Sequence, residues 1–245
     1  MTVISRSDFL PSLRPGFARR KRSVWRTALY VVLALLLLPY VLTPLYAVVN
    51  PPSTLMLWRF VTGQRVERTW VPLAKIDPDL RLAVIVAEDG RFCSHFGLDL
   101  TEIQNAIDDA EGLDDVRGGS TITQQVAKNL FLWQGRSYVR KALEAPLALW
   151  IDLVLSKPRI LEIYLNIAEL GPNGEFGADA AARRAFGRPP DGLSRYQAAL
   201  IAATLPNPVT RDAKRPGPGL RRLAGLYQRR AASAPEAAAC VRTKR

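Results

Sequence analysis

Hydrophobic and polar positions follow three different rules along this chain. Residues 27–49, TALYVVLALLLLPYVLTPLYAVV, contain no charged side chain. As a helix this run is about 35 Å long, enough to cross a hydrocarbon core of about 30 Å. Pro39 and Pro44 are placed to kink or end it, so the shortest secure span is residues 27–42. The run is long for the apolar core of a cleaved leader, and no small-x-small site follows it. The pattern therefore predicts a retained anchor. Residues 50–70 then lose periodicity and predict a tether, with Trp58 and Phe60 suited to a membrane interface.

From Asp77 onward the period becomes helical. Asp77-Pro78 supplies an N-cap and a first-turn proline, followed by Leu80, Ala83, Val84 and Ala87 on one face. Thr121 and Gln124 form a capping box ahead of Val126 and Leu130. Residues 138–155 predict a long helix with Val139, Leu143, Leu147, Trp150 and Val154 available for burial. Pro158 sits near the start of the next helix, RILEIYLNIAEL, which runs to Gly171. GADAAARRAF, then a Ser194/Gln197 capping box before AALIAATL, then residues 220–230 complete the series. No convincing period-2 strand occurs, so the fold class is mostly α.

Charge changes the picture at the ends. Of a net +12, residues 1–26 carry +6, residues 27–210 carry −2 and residues 211–245 carry +8. A nucleic-acid binder concentrates basic residues on its folded domain, so none is expected as a partner. Basic ends beside an apolar span suit an anionic lipid surface. Arg19, Arg20, Lys21, Arg22 and Arg26 precede the span, which places the N-terminus in the cytoplasm and the remainder outside the inner membrane. Cys93 and Cys240 are the only cysteines. Cys240 falls in an alanine-rich, charged tail, residues 231–245, predicted to be disordered, so no bridge between the two is expected. There is no zinc-ligand spacing, and a Ser-His-Asp site would have to use His95, the single histidine.

The chemistry concentrates in RGGSTITQQVAKNLFLWQGRSYVRKALE, residues 117–144. Glycines, hydroxyls and amides lead into Lys128, Arg136, Arg140 and Lys141, a set suited to a phosphate or pyrophosphate. GGST at 118–121 can bring an anion to the amides of a helix N-terminus. Glu88 ends the apolar run LAVIVA and is either a desolvated proton acceptor or a solvated helix-closing charge. Glu144 shares a helix face with Arg140 and Lys141, as a surface ion-pair cluster or as part of the anion site. The acidic run at 108–115 predicts a solvated loop.

Four ordered motifs then resemble the peptidoglycan glycosyltransferase family, in its monofunctional biosynthetic branch. They are Glu88-Asp89-x-x-Phe92-x-x-His95-x-Gly97, then Gly118-Gly119-Ser120-Thr121-Ile122-Thr123-Gln124-Gln125 running into Lys128, then Arg140-Lys141-x-x-Glu144, then Ile160-Leu161-Glu162-x-Tyr164-Leu165-Asn166. The resemblance covers about residues 71–208, and the domain is expected over 71–230. It implies a membrane-embedded, lysozyme-like helical fold that polymerises lipid II into β-1,4-linked glycan and releases undecaprenyl pyrophosphate.

The resemblance also implies roles. Glu88 is the base that deprotonates the attacking hydroxyl. Lys128, Arg136, Arg140 and Lys141 stabilise the leaving pyrophosphate, and Ser120, Gln124 and Gln125 line the donor site. Glu144 is catalytic, either orienting the cations or holding a divalent ion, expected to be Mg²⁺. Glu162 and Asn166 are expected to hold the fold, and so is His95, with a direct role in the reaction as its alternative. Lipid II, the growing glycan, membrane lipids and other cell-wall synthesis or division proteins are the implied partners. No SxxK occurs, so a transpeptidase is not expected. A lytic enzyme has no pyrophosphate to hold, and an inactive scaffold has no use for both glutamates.

Overall fold

A computed structural model of the chain describes residues 17–108, 119–135 and 137–242. Residues 1–16, the acidic run beyond Asp108, Gly118 and Arg136 lie outside the described residues. The described residues form helices and isolated β-bridges, with no strand. By internal packing the chain divides at Pro39 into an N-terminal and a larger C-terminal unit.

Helix α1 (Phe17–Leu45) contains the apolar stretch Val24–Leu45, which is long and apolar enough to cross a membrane. Its mean hydropathy is 2.2, and 11% of that window is buried, so its apolar side chains are not used as protein core. Pro39 removes one backbone donor without ending the helix. Residues 46–49 leave it in turns, short of the predicted 27–49 span.

The larger unit is built from α2 (Thr54–Val61), α3 (Pro78–Glu88), α4 (Leu100–Asp108), α5 (Ile122–Phe131), α6 (Tyr138–Val154), α7 (Lys157–Ile167), α8 (Gly177–Phe186), α9 (Arg195–Ala202) and α10 (Pro218–Ser233). Seven of the eight residues from Ile160 to Ile167 are buried on α7, all but Glu162. A helix buried all round is a central one, and α5, α6 and α8 pack on it. Helix α3 packs on α9 and α10. Ala198, Ala199 and Ala202 on α9 allow close approach because they carry no bulk beyond Cβ. On α6 the buried stripe is Leu147, Ala148 and Ile151, whereas Val139, predicted to be available for burial, is exposed.

The sequence pattern underestimates two segments. Residues 50–70 predict a tether, yet they are packed. Ser53 caps α2, Thr54 Oγ1 donates to the Leu132 carbonyl at 2.7 Å, and Met56 is buried. Arg159 ties residues 46–50 down through the carbonyls of Tyr46 (2.8 Å) and Val49 (2.7 Å). The segment is short of periodicity because it packs through backbone and caps rather than through an apolar stripe. Its exposed face keeps Leu57, Trp58, Phe60 and Val61 in solvent contact.

The second segment is the tail. Pro235–Val241 forms a 3-10 helix against α3 and α7, with Ala238 and Val241 buried. The Val241 carbonyl accepts from Arg81 Nη1 at 3.1 Å. Cys240 is disulfide-bonded to Cys93, across a sequence separation of 147. Predicted disorder and an unpaired Cys93 are both corrected by this packing: small alanines fit where composition alone suggests a solvated tail. Closing so long a loop restricts the unfolded chain, which by loop entropy contributes about 5 kcal/mol.

Candidate active site

Helix α3 buries Leu80, Ala83, Val84, Ile85 and Val86, then ends on Glu88. The helix C-terminus carries partial negative charge, an unfavourable place for a second negative charge. Burial raises the Glu88 carboxyl above its ordinary range. A hydrogen bond from Gln125 and the charges of Lys128 and Arg211 pull it back, and Asp89 pushes it up again. Gln125 Nε2 donates to Glu88 Oε2 at 2.9 Å. Desolvation wins, which leaves a carboxylate with raised affinity for a proton.

The turn after α3 is pinned to α5 and α6. Asp89 accepts from the Ile122 amide at 2.9 Å, and His95 Nε2 lies 2.9 and 3.0 Å from its two oxygens. Gly97 has φ +67°, and a Cβ there would lie 2.8 Å from the Ala148 carbonyl, so only glycine lets the turn approach α6. Glu88, Asp89, Asp99, Glu102, Ser120 and Arg230 are among the residues lining a cavity of about 340 Å³ beside this turn. Another cavity, of about 260 Å³, contains Asp79 and Arg195 but neither Glu88 nor the cations below.

Helix α5 opens with the predicted capping box. Gln124 Oε1 accepts from the Thr121 amide at 3.0 Å, and Thr121 Oγ1 accepts from the Gln124 amide at 3.1 Å. Gln124 is thus buried in the cap rather than directed to a donor site, where the sequence reading puts it. The amides of Thr121, Ile122 and Gln124 are all taken by side chains. The backbone of this helix start therefore has fewer amides to offer an anion than its sequence suggests, and side-chain cations lie beside it.

Those cations converge. Arg140 and Lys141 both pair with the buried Glu144, Arg140 directly and Lys141 at 3.6 Å. Lys141 Nζ donates to Ser120 Oγ at 2.6 Å, joining α6 to the start of α5. Burial and then Arg140 lower the Lys128 ammonium, and Glu88 raises it, so Lys128 senses both groups. Burial, Arg140 and Lys128 lower Lys141. Glu144 pairs with two cations and Lys128 interacts electrostatically with both of them, so the cluster around Glu144 keeps a positive excess. Arg140 Nε is buried without a hydrogen-bond partner among the described residues, a donor left for an anion. Arg136 lies outside the described residues.

The fit to a divalent cation is poor at Glu144. Its oxygens face Arg140 and Lys141, and a dication would have to displace both. Among the described residues, Asp89, His95 and Asp99 place ligand atoms within 4.8 Å of one another, close enough to hold a metal ion. Asp89 is already bonded to His95 and Ile122, however, and Asp99 caps α4 through the amides of Thr101 and Glu102 at 3.1 Å each. A His nitrogen in a buried site also suits Mg²⁺ poorly.

Asn166 and Glu162 hold the fold as expected. Asn166 bridges both backbone groups of Val71 (2.7 and 2.9 Å), and Glu162 accepts from the Leu73 amide at 2.8 Å. The sequence reading misses Arg211 and Arg230. Both come from the basic C-terminal region, and their approach to Glu88 depends on α9 and α10 folding back onto α3.

A family model described as Transglycosylase matches residues 56–231. A biosynthetic peptidoglycan transglycosylase of Nitrobacter hamburgensis is 57% identical over 225 residues, which is 92% of this chain and 99% of the relative. The protein of the same name from Rhodopseudomonas palustris strain TIE-1 is 59% identical over 93% of this chain and 96% of its own length. That of Agrobacterium fabrum is 50% identical over 90% and 98%. With a buried carboxylate beside a cation cluster, and matches of this extent, the chain belongs to the transglycosylase family.

Proposed function

We propose that the protein is a peptidoglycan glycosyltransferase that polymerises lipid II into β-1,4-linked glycan and releases undecaprenyl pyrophosphate. One observation carries the reading: the desolvated Glu88 and Ser120 line one cavity, and Ser120 accepts from Lys141, which shares Glu144 with Arg140. A reaction with an attacking hydroxyl and a polyanionic leaving group needs that pair of features.

The acceptor's 4-hydroxyl gives its proton to Glu88 as the oxygen attacks the anomeric carbon of the growing strand. The bond from that carbon to the pyrophosphate oxygen breaks, and its electron pair leaves on the phosphate. Lys128, Arg140 and Lys141 stabilise the charge, with Ser120 at their edge and Arg136 assigned to the same anion by resemblance. One displacement turns an α-linked donor into a β-linkage. Glu144 orients Arg140 and Lys141. A Mg²⁺ requirement is assigned to the substrate's pyrophosphate rather than to a resident cage, since Glu144 is held by two cations.

The apolar stretch of α1 anchors the chain in the inner membrane with its N-terminus cytoplasmic and the larger unit periplasmic. The Cys93–Cys240 bridge supports an oxidising compartment, and the exposed Leu57, Trp58, Phe60 and Val61 suit contact with lipid. The test supplies purified protein in detergent with labelled lipid II and Mg²⁺, and sizes the products. Polymer from wild type and none from Glu88→Gln supports the reading. Fragments released from finished glycan, or no turnover by wild type, would overturn it.

A further inference from the structure

Glu88 reaches a second buried residue through Gln125. Gln125 Nε2 donates to Glu88 Oε2 at 2.9 Å, and Gln125 Oε1 accepts from the Tyr164 hydroxyl at 2.9 Å. A carboxamide can present either end to a neighbour, and its other partner decides which. Here that partner is a phenol on the central helix α7, 1% exposed. Burial, and then the charges of Glu88 and Asp89, push the Tyr164 hydroxyl well above its ordinary range, so it keeps its proton. Gln125 is the acceptor of that proton among the described residues. Flipping the amide would leave a buried hydroxyl proton without an acceptor, which is unfavourable.

We infer that Tyr164 is a positioning residue for the base: by fixing the Gln125 amide it keeps an N–H, never a carbonyl, aimed at Glu88. The consequence is chemical. An N–H stabilises the carboxylate, whereas an amide oxygen would stabilise the protonated acid. Tyr164 thereby holds Glu88 as an acceptor before attack. It also gives the proton taken from the sugar hydroxyl no amide oxygen to rest on, so the base returns that proton to solvent before the next addition.

Other groups face Glu88: Asp89 beside it, Lys128 on α5 and Arg211 after α9 act on the same equilibrium, Tyr227 on α10 senses its charge, and Arg230 on α10 lines the same cavity. None of them is bonded to Gln125, so Tyr164 is the one whose loss acts through the amide.

The inference rests on Glu88 being the base, and the test separates the two ideas. Tyr164→Phe keeps the ring and removes the hydroxyl. The acid limb of the kcat/KM pH profile is expected to move up by about one pH unit, with kcat on the plateau little changed. Gln125→Leu should move it in the same direction, and the double variant no further than Gln125→Leu alone. Without substrate, the Glu88 carboxyl band, assigned by infrared difference against Glu88→Gln, should also titrate at higher pH in Tyr164→Phe. An unmoved limb and band, or single-variant shifts that add in the double variant, overturns the relay. A shifted band in a protein that never polymerises lipid II leaves the relay standing and overturns the proposed function. Where Tyr164→Phe melts early, Gln125→Leu, at a half-buried position of α5, carries the same band measurement.

Discussion

Two glutamates sit in different helices of the larger unit, and their surroundings differ in kind. Glu88 ends α3, with a hydrogen-bond donor in contact and its nearest cations acting only through space. Glu144 lies inside α6 with Arg140 and Lys141 both paired to it. Burial of Glu88 keeps proton affinity high. Burial of Glu144 is tolerable because paired cations replace the water it has lost. Environments that differ this way separate a proton acceptor from an electrostatic organiser, although the side chain is the same.

The largest effect should come from removing the charge at each position in turn. Glu88→Gln is expected to lower kcat by about 10²–10⁴-fold, as loss of a general base does. The same change should raise the melting temperature at neutral pH. A carboxyl whose pKa is raised on folding costs stability once pH rises above that pKa, and the amide removes the cost. Glu144→Gln should do the reverse on stability. It leaves Arg140 and Lys141 without their partner, and a broken buried pair costs about 3–5 kcal/mol. Denaturant melts of both variants, read beside lipid II turnover, would break the comparison if Glu144→Gln proved the more stable protein.

Next in size is the covalent tie on the Glu88 side. Cys93 lies in the turn that follows Glu88, and its bridge to Cys240 binds that turn to the C-terminal segment. Cys93→Ser with Cys240→Ser should lower stability by about 2–5 kcal/mol, the loop-entropy value being the upper end. Loosening should fall on the Glu88 turn rather than on α6, so amide exchange is expected to rise around residues 89–99 and stay unchanged near Glu144. Equal loosening of both regions would mean that the bridge acts only on the unfolded chain.

What the sequence discloses about these regions differs as well. Arg140, Lys141 and Glu144 lie within one helical turn, so their pairing follows from i,i+3 and i,i+4 spacing alone. The capping boxes at Thr121 and Ser194 are equally local, and both form. The surroundings of Glu88 are assembled from α3, α5, α7 and α10, and no local pattern links Gln125 to Tyr164 or Arg230 to Glu88. For the same reason the helix start at 121–125 misleads in part: its Ile122 amide looks available until Asp89, distant in sequence, takes it. The tail misleads through composition, because alanine reads as solvated beside arginine but packs well against α3 and α7.

The wild-type pH profile sharpens the contrast further. With burial raising Glu88, activity should fall as pH drops through a value above the ordinary carboxylate range, since the base must be ionised to work. Lys128 is the residue that senses both sides, so Lys128→Met is the finest probe and the smallest effect. It removes a charge that favours ionised Glu88, and the acid limb should move up by a fraction of a pH unit. It also removes one cation from the anion cluster, so KM for lipid II should rise in the same variant. Steady-state kinetics across pH separates the two effects, because the limb reports Glu88 and KM on the plateau reports the cations. A raised KM with an unmoved limb would mean that Lys128 belongs to the Glu144 side alone, and the two glutamates would then be electrostatically independent.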